Sequence, residues 1–194
     1  KWAFLALFTY SSFDDLKMGN NGNEYLKRKE YVQRINGIDS IVANSNQNQQ
    51  KYSGYGQLNF VAKLSNNFSK YVNWTYGIYL TSTTDVPRYD RLIEYKGDNL
   101  KYAEWNYYPQ QWVMNNLNIN FEKKTKIYDH LSMVFAYQNV KEGRNDRKYR
   151  DDWLRKREEQ VNIFSINADF DKKLNFSNSI YYGLEFVYNK VNSE

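Results

Sequence analysis

Residues 53–80 read S-G-Y-G-Q-L-N-F-V-A-K-L-S-N-N-F-S-K-Y-V-N-W-T-Y-G-I-Y-L, and their alternation decides the fold. In residues 53–64, Leu58, Phe60, Ala62 and Leu64 occupy one parity, and Gln57, Asn59, Val61 and Lys63 the other. A period of two belongs to a strand with one apolar and one largely polar face. After a break at residues 65–68 the pattern resumes over 69–80. Val72, Trp74, Tyr76, Ile78 and Leu80 now oppose Tyr71, Asn73, Thr75, Gly77 and Tyr79.

The same rhythm runs outward from this pair. Residues 111–121 set Val113, Leu117, Ile119 and Phe121 against Asn116, Asn118 and Asn120, with Asn115 interrupting the apolar row where a headgroup zone is expected. Leu131, Met133, Phe135 and Tyr137 oppose Ser132, Val134, Ala136 and Gln138, and Phe164, Ile166, Ala168 and Phe170 oppose Ser165, Asn167 and Asp169. Ile180, Tyr182, Leu184, Phe186 and Tyr188 oppose Tyr181, Gly183, Glu185, Val187 and Asn189. No apolar row carries a charge. Residues 2–10 are apolar on both parities, so their orientation stays open.

The links sort by length. Short ones fall at residues 65–68, 122–129 and 171–175, and long ones at 14–52, 82–110 and 139–158. Successive strands of an antiparallel meander reverse direction, so all short links lie at one end and all long ones at the other. A soluble sheet has no general reason for this, whereas an outer-membrane barrel joins its strands by tight periplasmic turns and long outer loops. The fold expected is therefore all-β, an antiparallel meander forming part of a transmembrane β-barrel over residues 1–194. About seven strands of roughly bilayer-spanning length are expected. Seven strands close no barrel of the usual even kind, and open edges are not tolerated in hydrocarbon, so neighbouring strands are expected as well.

Composition agrees with a membrane barrel. Hydrophobic residues make up 41% and aromatics 18%, with 19 Tyr and 2 Pro, while the mean hydropathy is −0.86. Tyr suits a lipid headgroup boundary. No apolar run approaches the length of a transmembrane helix. Lys1-Trp2 opens within a strand pattern, without an initiating Met, a basic leader or a cleavage site, and is read as a piece of a longer precursor. With no Cys there are no disulfides or thiolate metal sites. The net charge of +5, from 27 basic and 22 acidic residues mixed through the loops, is not the basic stripe of a nucleic-acid binder.

Several motifs go beyond periodicity. Residues 83–92 (T-T-D-V-P-R-Y-D-R-L) and 101–110 (K-Y-A-E-W-N-Y-Y-P-Q) share one long link. Residues 10–19 (Y-S-S-F-D-D-L-K-M-G) and 138–147 (Q-N-V-K-E-G-R-N-D-R) read as a strand top and a strand exit, and 182–185 (Y-G-L-E) as an inward-facing strand motif. Together they resemble the barrel of TonB-dependent outer-membrane receptors, particularly the iron-complex and haem type of Bacteroidetes-like bacteria. Gly143 stands where that pattern has Ser. The resemblance implies a barrel of about 22 strands filled by an N-terminal plug that couples import to an inner-membrane TonB complex. It places the chain in the outer membrane of a Gram-negative bacterium, as roughly a third of that barrel. The plug, the TonB box and the closing strand lie outside these residues. The implied ligand is a siderophore-iron chelate, haem or another bulky scarce nutrient.

Candidate ligand contacts are Arg88, Tyr89, Arg91, Trp105, Tyr107 and Tyr108. Arg88 and Arg91 can fork onto carboxylates or an anionic chelate. Alternatively they join Asp85, Asp90 and Glu94 in a network that holds the loop, the reading that alternating signs favour. The aromatics can stack on a planar ligand or pack the loop, and packing is favoured. The mixed charges of residues 144–159 are read as a solvated loop, with lipopolysaccharide a weaker option. His130 lies at the short-link end, away from arriving haem. Tyr89 is the tyrosine with arginines beside it, and tyrosine ligates haem iron in some proteins. No catalytic constellation appears, so no enzyme and no cofactor are expected. A passive porin or structural barrel, and a soluble β-sandwich binding module, are the alternatives.

Overall fold

The computed structural model describes residues 1–194, the side chain of Tyr108 excepted. Its strands, in chain order, are β1 (Trp2–Phe13), β2 (Glu30–Ile35), β3 (Ile38–Ala43), β4 (Tyr55–Asn67), β5 (Val72–Thr83), β6 (Val86–Pro87), β7 (Tyr95–Lys96), β8 (Asn99–Leu100), β9 (Tyr102–Phe121), β10 (His130–Lys148), β11 (Arg155–Lys173) and β12 (Ser179–Ser193). A 3-10 turn covers Glu24–Leu26, and a short helix α1 covers Tyr89–Leu92. Strand accounts for 67% of residues and helix for 4%, so the all-β reading holds.

Seven long strands pair antiparallel in the order β1, β4, β5, β9, β10, β11, β12, and their sheet curls into a half-barrel. The expected count of about seven therefore matches. The ladder keeps the alternation in phase across all seven. Phe4, Leu64, Tyr76, Leu117, Phe135, Ile166 and Phe186 are successive cross-strand partners, a wholly apolar row. The next row on the opposite face is Leu5, Lys63, Gly77, Asn116, Ala136, Ser165 and Val187. A one-residue slip anywhere would exchange the faces, so the apolar set fixes the register. It also orients β1: Trp2, Phe4, Ala6 and Phe8 join the apolar face, and Ala3, Leu5 and Leu7 the other.

Aromatic rings border the apolar face at both ends. At the short-link end Trp2 meets Trp74 edge-on at 5.7 Å, and Phe170 stacks on Tyr182 at 4.8 Å. Toward the long links Phe8 pairs with Phe60 and Tyr10 with Leu58, and between the two ends Tyr76 donates to Asn115 Oδ1 (2.7 Å) and Tyr137 to Asn162 Oδ1 (2.8 Å). Asn115 thus sits in the apolar row with its carbonyl satisfied by a neighbouring phenol. Beyond it the face stays apolar for one more row at Phe8, Phe60, Leu80 and Val113, and on β10 and β11 it turns polar with Asn139 beside Asn162 and Lys141 beside Gln160.

The short links are residues 68–71, 122–129 and 174–178, all at one end. The long ones differ from the sequence reading. Residues 139–158 are mostly strand, with opposite charges paired across β10 and β11 (Arg144 with Glu159, Asp146 with Arg155 and Arg157), and only 149–154 form a loop. Residues 102–110 likewise belong to β9. Residues 14–54 contain a hairpin, β2 to β3, turned at Asn36-Gly37, where both residues have positive φ (49° and 81°). Asn-Gly suits such a turn because Asn tolerates that region and Gly has no Cβ to oppose it.

The long strands make one layer, with no second long-stranded sheet packed on it among the described residues. Buried apolar residues are Val32, Leu92, Leu100, Trp105, Leu131 and Ala136, and four of these six belong to the long-link end. Accessible surface is 13161 Å², against about 9,700 Å² for a compact soluble monomer of this mass. Phe4, Phe8, Leu184 and Phe186 are among the exposed apolar side chains. Along β12 every residue is exposed, and along β1 every residue but Ser11. No helix among the described residues is long and apolar enough to cross a membrane, which has no bearing on crossing by strands.

Candidate functional site

Above the apolar rows β9 and β10 continue upward together. Between the pairs Gln111–Lys141 and Tyr108–Gly143 the ladder carries one extra residue on β9, at Pro109-Gln110. Proline fits a bulge, where its missing N–H breaks no ladder bond. The bulge turns Trp105 and Tyr107 onto the polar face, opposite Asp146 and Arg144. β6 then takes the place of β5 beside β9, with Val86 paired to Tyr107 and Pro87 to Asn106. The Arg88 amide extends this ladder by donating to Trp105 O (2.9 Å).

This register sets Arg88 among the aromatics. Its guanidinium lies 5.2 Å from the Trp105 ring centroid and 6.0 Å from that of Tyr107, and Trp105 meets Tyr107 edge-on at 5.4 Å. Each such cation–ring contact contributes roughly 0.5–2 kcal/mol, more as water is excluded. Asp90 accepts from Arg88 Nε with both oxygens, at 2.9 and 3.1 Å. The Nη groups have no acceptor among the described residues. Trp105 is buried and Tyr107 half exposed, so one ring holds the cation in place and the other offers a face.

Arg88, Trp105 and Tyr107 therefore come together, and the remaining candidates do not join them. Arg91 pairs with Glu94, which Lys101 also reaches at 2.9 Å. The hydrogen bond from Lys101, then that from Arg91, outweigh burial and hold the Glu94 carboxyl below its ordinary range. Arg91 thus belongs to a network that fastens the link, the structural alternative of the sequence reading. Tyr89 opens α1 and is exposed. The Tyr108 side chain lies outside the described residues.

Two groups of residues escaped sequence reasoning. A cavity of about 420 Å³ adjoins Tyr107 on the polar face, bounded by Tyr55, Gln57, Thr81, Thr83, Val86, Gln110 and Glu142. Its hydroxyls and amides come from three strands whose register the sequence does not number. The other group is the charged ladder of β10 and β11. Asp146 accepts both Arg155 Nε (3.1 Å) and Nη2 (2.6 Å), with Arg157 at 3.6 Å, and Arg144 faces Glu159 at 3.5 Å. On β10 the even positions Glu142, Arg144, Asp146 and Lys148 alternate in sign, which was the available signal, and like-charged runs such as Arg155-Lys156-Arg157 masked it.

On the other side of the sheet the β2–β3 hairpin is clamped down. Arg147 donates from Nη1 to Asp39 Oδ2 (2.6 Å) and to Asp151 O (2.9 Å), and from Nε to Glu104 (2.8 Å), and the Arg150 amide also reaches Asp39 (2.9 Å). The Arg147 and Asp39 side chains are 6% and 2% exposed, so the pair is desolvated. Burial pushes the Asp39 carboxyl up, but hydrogen bonds from Arg147 and the Arg150 amide, with the charges of Arg147 and Arg34, hold it below its ordinary value.

His130 starts β10 at the short-link end, 3.3 Å from Glu122, far in the fold from Arg88. Among the described residues no three His, Cys, Asp or Glu side chains are grouped to hold a metal ion. Comparison of the chain with family models, with curated proteins and with solved structures gives no match.

Proposed function

We propose that this chain is an arc of the wall of an outer-membrane, TonB-dependent uptake receptor, its apolar face against lipid and its polar face toward the interior. The observation that carries the membrane part is the sheet itself. Seven antiparallel strands share one charge-free apolar face, bordered by aromatics at both ends, with every short link at one end. On β5 the row from Val72 to Leu80 spans about 26 Å at about 3.3 Å per residue, of the order of the ~25 Å apolar band of such barrels. Exposed edges on β1 and β12 support a larger wall, since hydrocarbon does not satisfy free N–H and C=O groups. The TonB-dependent part rests on the motif resemblance.

The ligand in this reading is a bulky anionic chelate of iron, or haem, met by Arg88 and the Tyr107 face beside the polar cavity. Free guanidinium N–H groups next to an aromatic face suit an anion attached to a planar group. In the full-length receptor, Arg88→Ala is expected to lower uptake of the cognate chelate about tenfold, the scale of one charge-assisted hydrogen bond. Arg91→Ala should leave uptake within about twofold, because its work is the Glu94 pair. A deletion strain, complemented with each variant and grown on single iron sources, reads both. Equal loss in the two variants would return Arg88 to a purely structural role. Growth indifferent to every iron source but impaired on a saccharide would move the ligand to that class.

A further inference from the structure

Arg28 follows the Glu24–Leu26 turn and is held by its backbone, the amide donating to Gln47 O (3.0 Å) and the carbonyl accepting from Asn44 Nδ2 (2.8 Å). Its side chain is carried inward, leaving the residue 2% exposed. Buried arginines ordinarily meet carboxylates or carbonyls, because a desolvated cation without acceptors is costly. Here Nε and Nη1 have no hydrogen-bond partner among the described residues. The nearest carboxylate in charge terms, Asp15, is occupied elsewhere. Its Oδ1 accepts from the amides of Ser53 (2.8 Å) and Gly54 (3.1 Å), and its Oδ2 from Gln49 (3.4 Å).

Arg28 lines a cavity of about 210 Å³ whose polar walls are Arg34, Tyr52, Glu104, Asn106 and Arg147. Arg147 is committed to Asp39 and Glu104, and Arg34 to Asp152. Glu104 is the one carboxylate in the wall, and Arg147 Nε already holds it. β9 and β10, which floor the cavity, are inner strands, so strands added at β1 or β12 do not reach it. Counting by twos from Tyr137, Arg147 falls on the apolar side of the sheet, so the cavity also lies away from the polar face. Burial lowers the Arg28 guanidinium to about 10, against the raising influence of Asp15, Tyr52 and Tyr31.

Nε–H and the Nη2–H beside it form a fork that matches two oxygens of one anion, with Nη1–H on the other edge left for a further contact, while a water offers a single oxygen. We propose that Arg28 holds a small oxyanion of the phosphate class in this cavity, tying the 14–54 segment to β9 and β10. The phosphate group is either free or carried on a lipopolysaccharide headgroup.

Equilibrium dialysis of the full-length protein in detergent, freed of lipopolysaccharide, against labelled inorganic phosphate tests this. Saturable binding of about one equivalent is expected, weakened at least about tenfold in Arg28→Lys, which keeps the charge and loses the fork. Arg28→Met should abolish it. Where that variant does not fold, the wild type and Arg28→Lys still decide. Added lipopolysaccharide that displaces the phosphate assigns the headgroup source, and undisturbed binding assigns the free anion. No saturable binding to the wild type at millimolar phosphate, or equal binding by Arg28→Lys, overturns the proposal and leaves the cavity to water.

Discussion

Ile166→Arg is expected to destabilise the barrel by about 2–4 kcal/mol, the cost of a basic side chain facing lipid at mid-depth. The same change one residue along, Asn167→Arg, is expected to cost less than about 1 kcal/mol. Ile166 belongs to the mid-depth apolar row, between Phe135 and Phe186. Asn167 faces the other way, between Val134 and Glu185, and the Glu185 carboxylate offers the new cation a partner. Unfolding of each variant in lipid vesicles by urea measures the difference. Two adjacent positions on one strand with opposite outcomes are hard to obtain from a sheet wetted on both faces. Equal, small effects at both would mean that the apolar face does not meet lipid.

The second large effect belongs to the clamp on the β2–β3 hairpin. Arg147→Ala removes the partner of a carboxylate that is 2% exposed, and breaking such a buried pair costs about 3–5 kcal/mol. The loss should be local, because Arg147 joins the hairpin to β9 and β10 without touching the apolar rows. Amide hydrogen exchange in residues 38–43 is expected to speed up by at least a hundredfold, consistent with that cost, while the amides of β5 and β11 are unchanged. Acid should act on the same joint. Since the Asp39 carboxyl is held below its ordinary value of 3.8, its contribution is fully present above that pH and is lost as pH falls through the folded value. In Arg147→Ala burial prevails, the carboxyl rises, and the hairpin should loosen at higher pH than in the wild type. Exchange in residues 38–43 that ignores both the substitution and the pH would remove the clamp from the account.

How much of this was legible in the residues depends on what sets each feature. The faces were, because alternation maps directly onto a pleated strand and charge-free rows such as Phe164 to Phe170 tolerate no other phase. Turn placement at the short-link end was also readable to within about four residues. The first strand was not orientable alone, since Trp2 to Tyr10 is apolar on both parities, and only its pairing with β4 chose a face. The upper parts of β10 and β11 read as loops because charges crowd both parities there, and that of β9 because its aromatic and polar residues follow no period of two. Asn36-Gly37 was a hairpin signal in plain view, hidden by the length of the polar stretch around it. Arg88 reached Trp105 and Tyr107 through a bulge, and a single inserted residue at Pro109-Gln110 changes which face every residue beyond it shows. Arg28 carried no local sign at all. Its isolation follows from what Asp15 and Glu104 bind instead.

The most direct test places single cysteines in this chain, which has none of its own, within the full-length protein after any cysteine outside these residues is replaced. Spin labels at Phe164, Ser165, Ile166, Asn167, Ala168 and Asp169 of the protein in lipid vesicles would be read for collision with oxygen, which partitions into the bilayer, and with a water-soluble nickel chelate. A period of two is expected, with high oxygen and low nickel access at Phe164, Ile166 and Ala168 and the reverse at Ser165, Asn167 and Asp169. Nickel access that is uniform along the strand, or an alternation in the opposite phase, would contradict it.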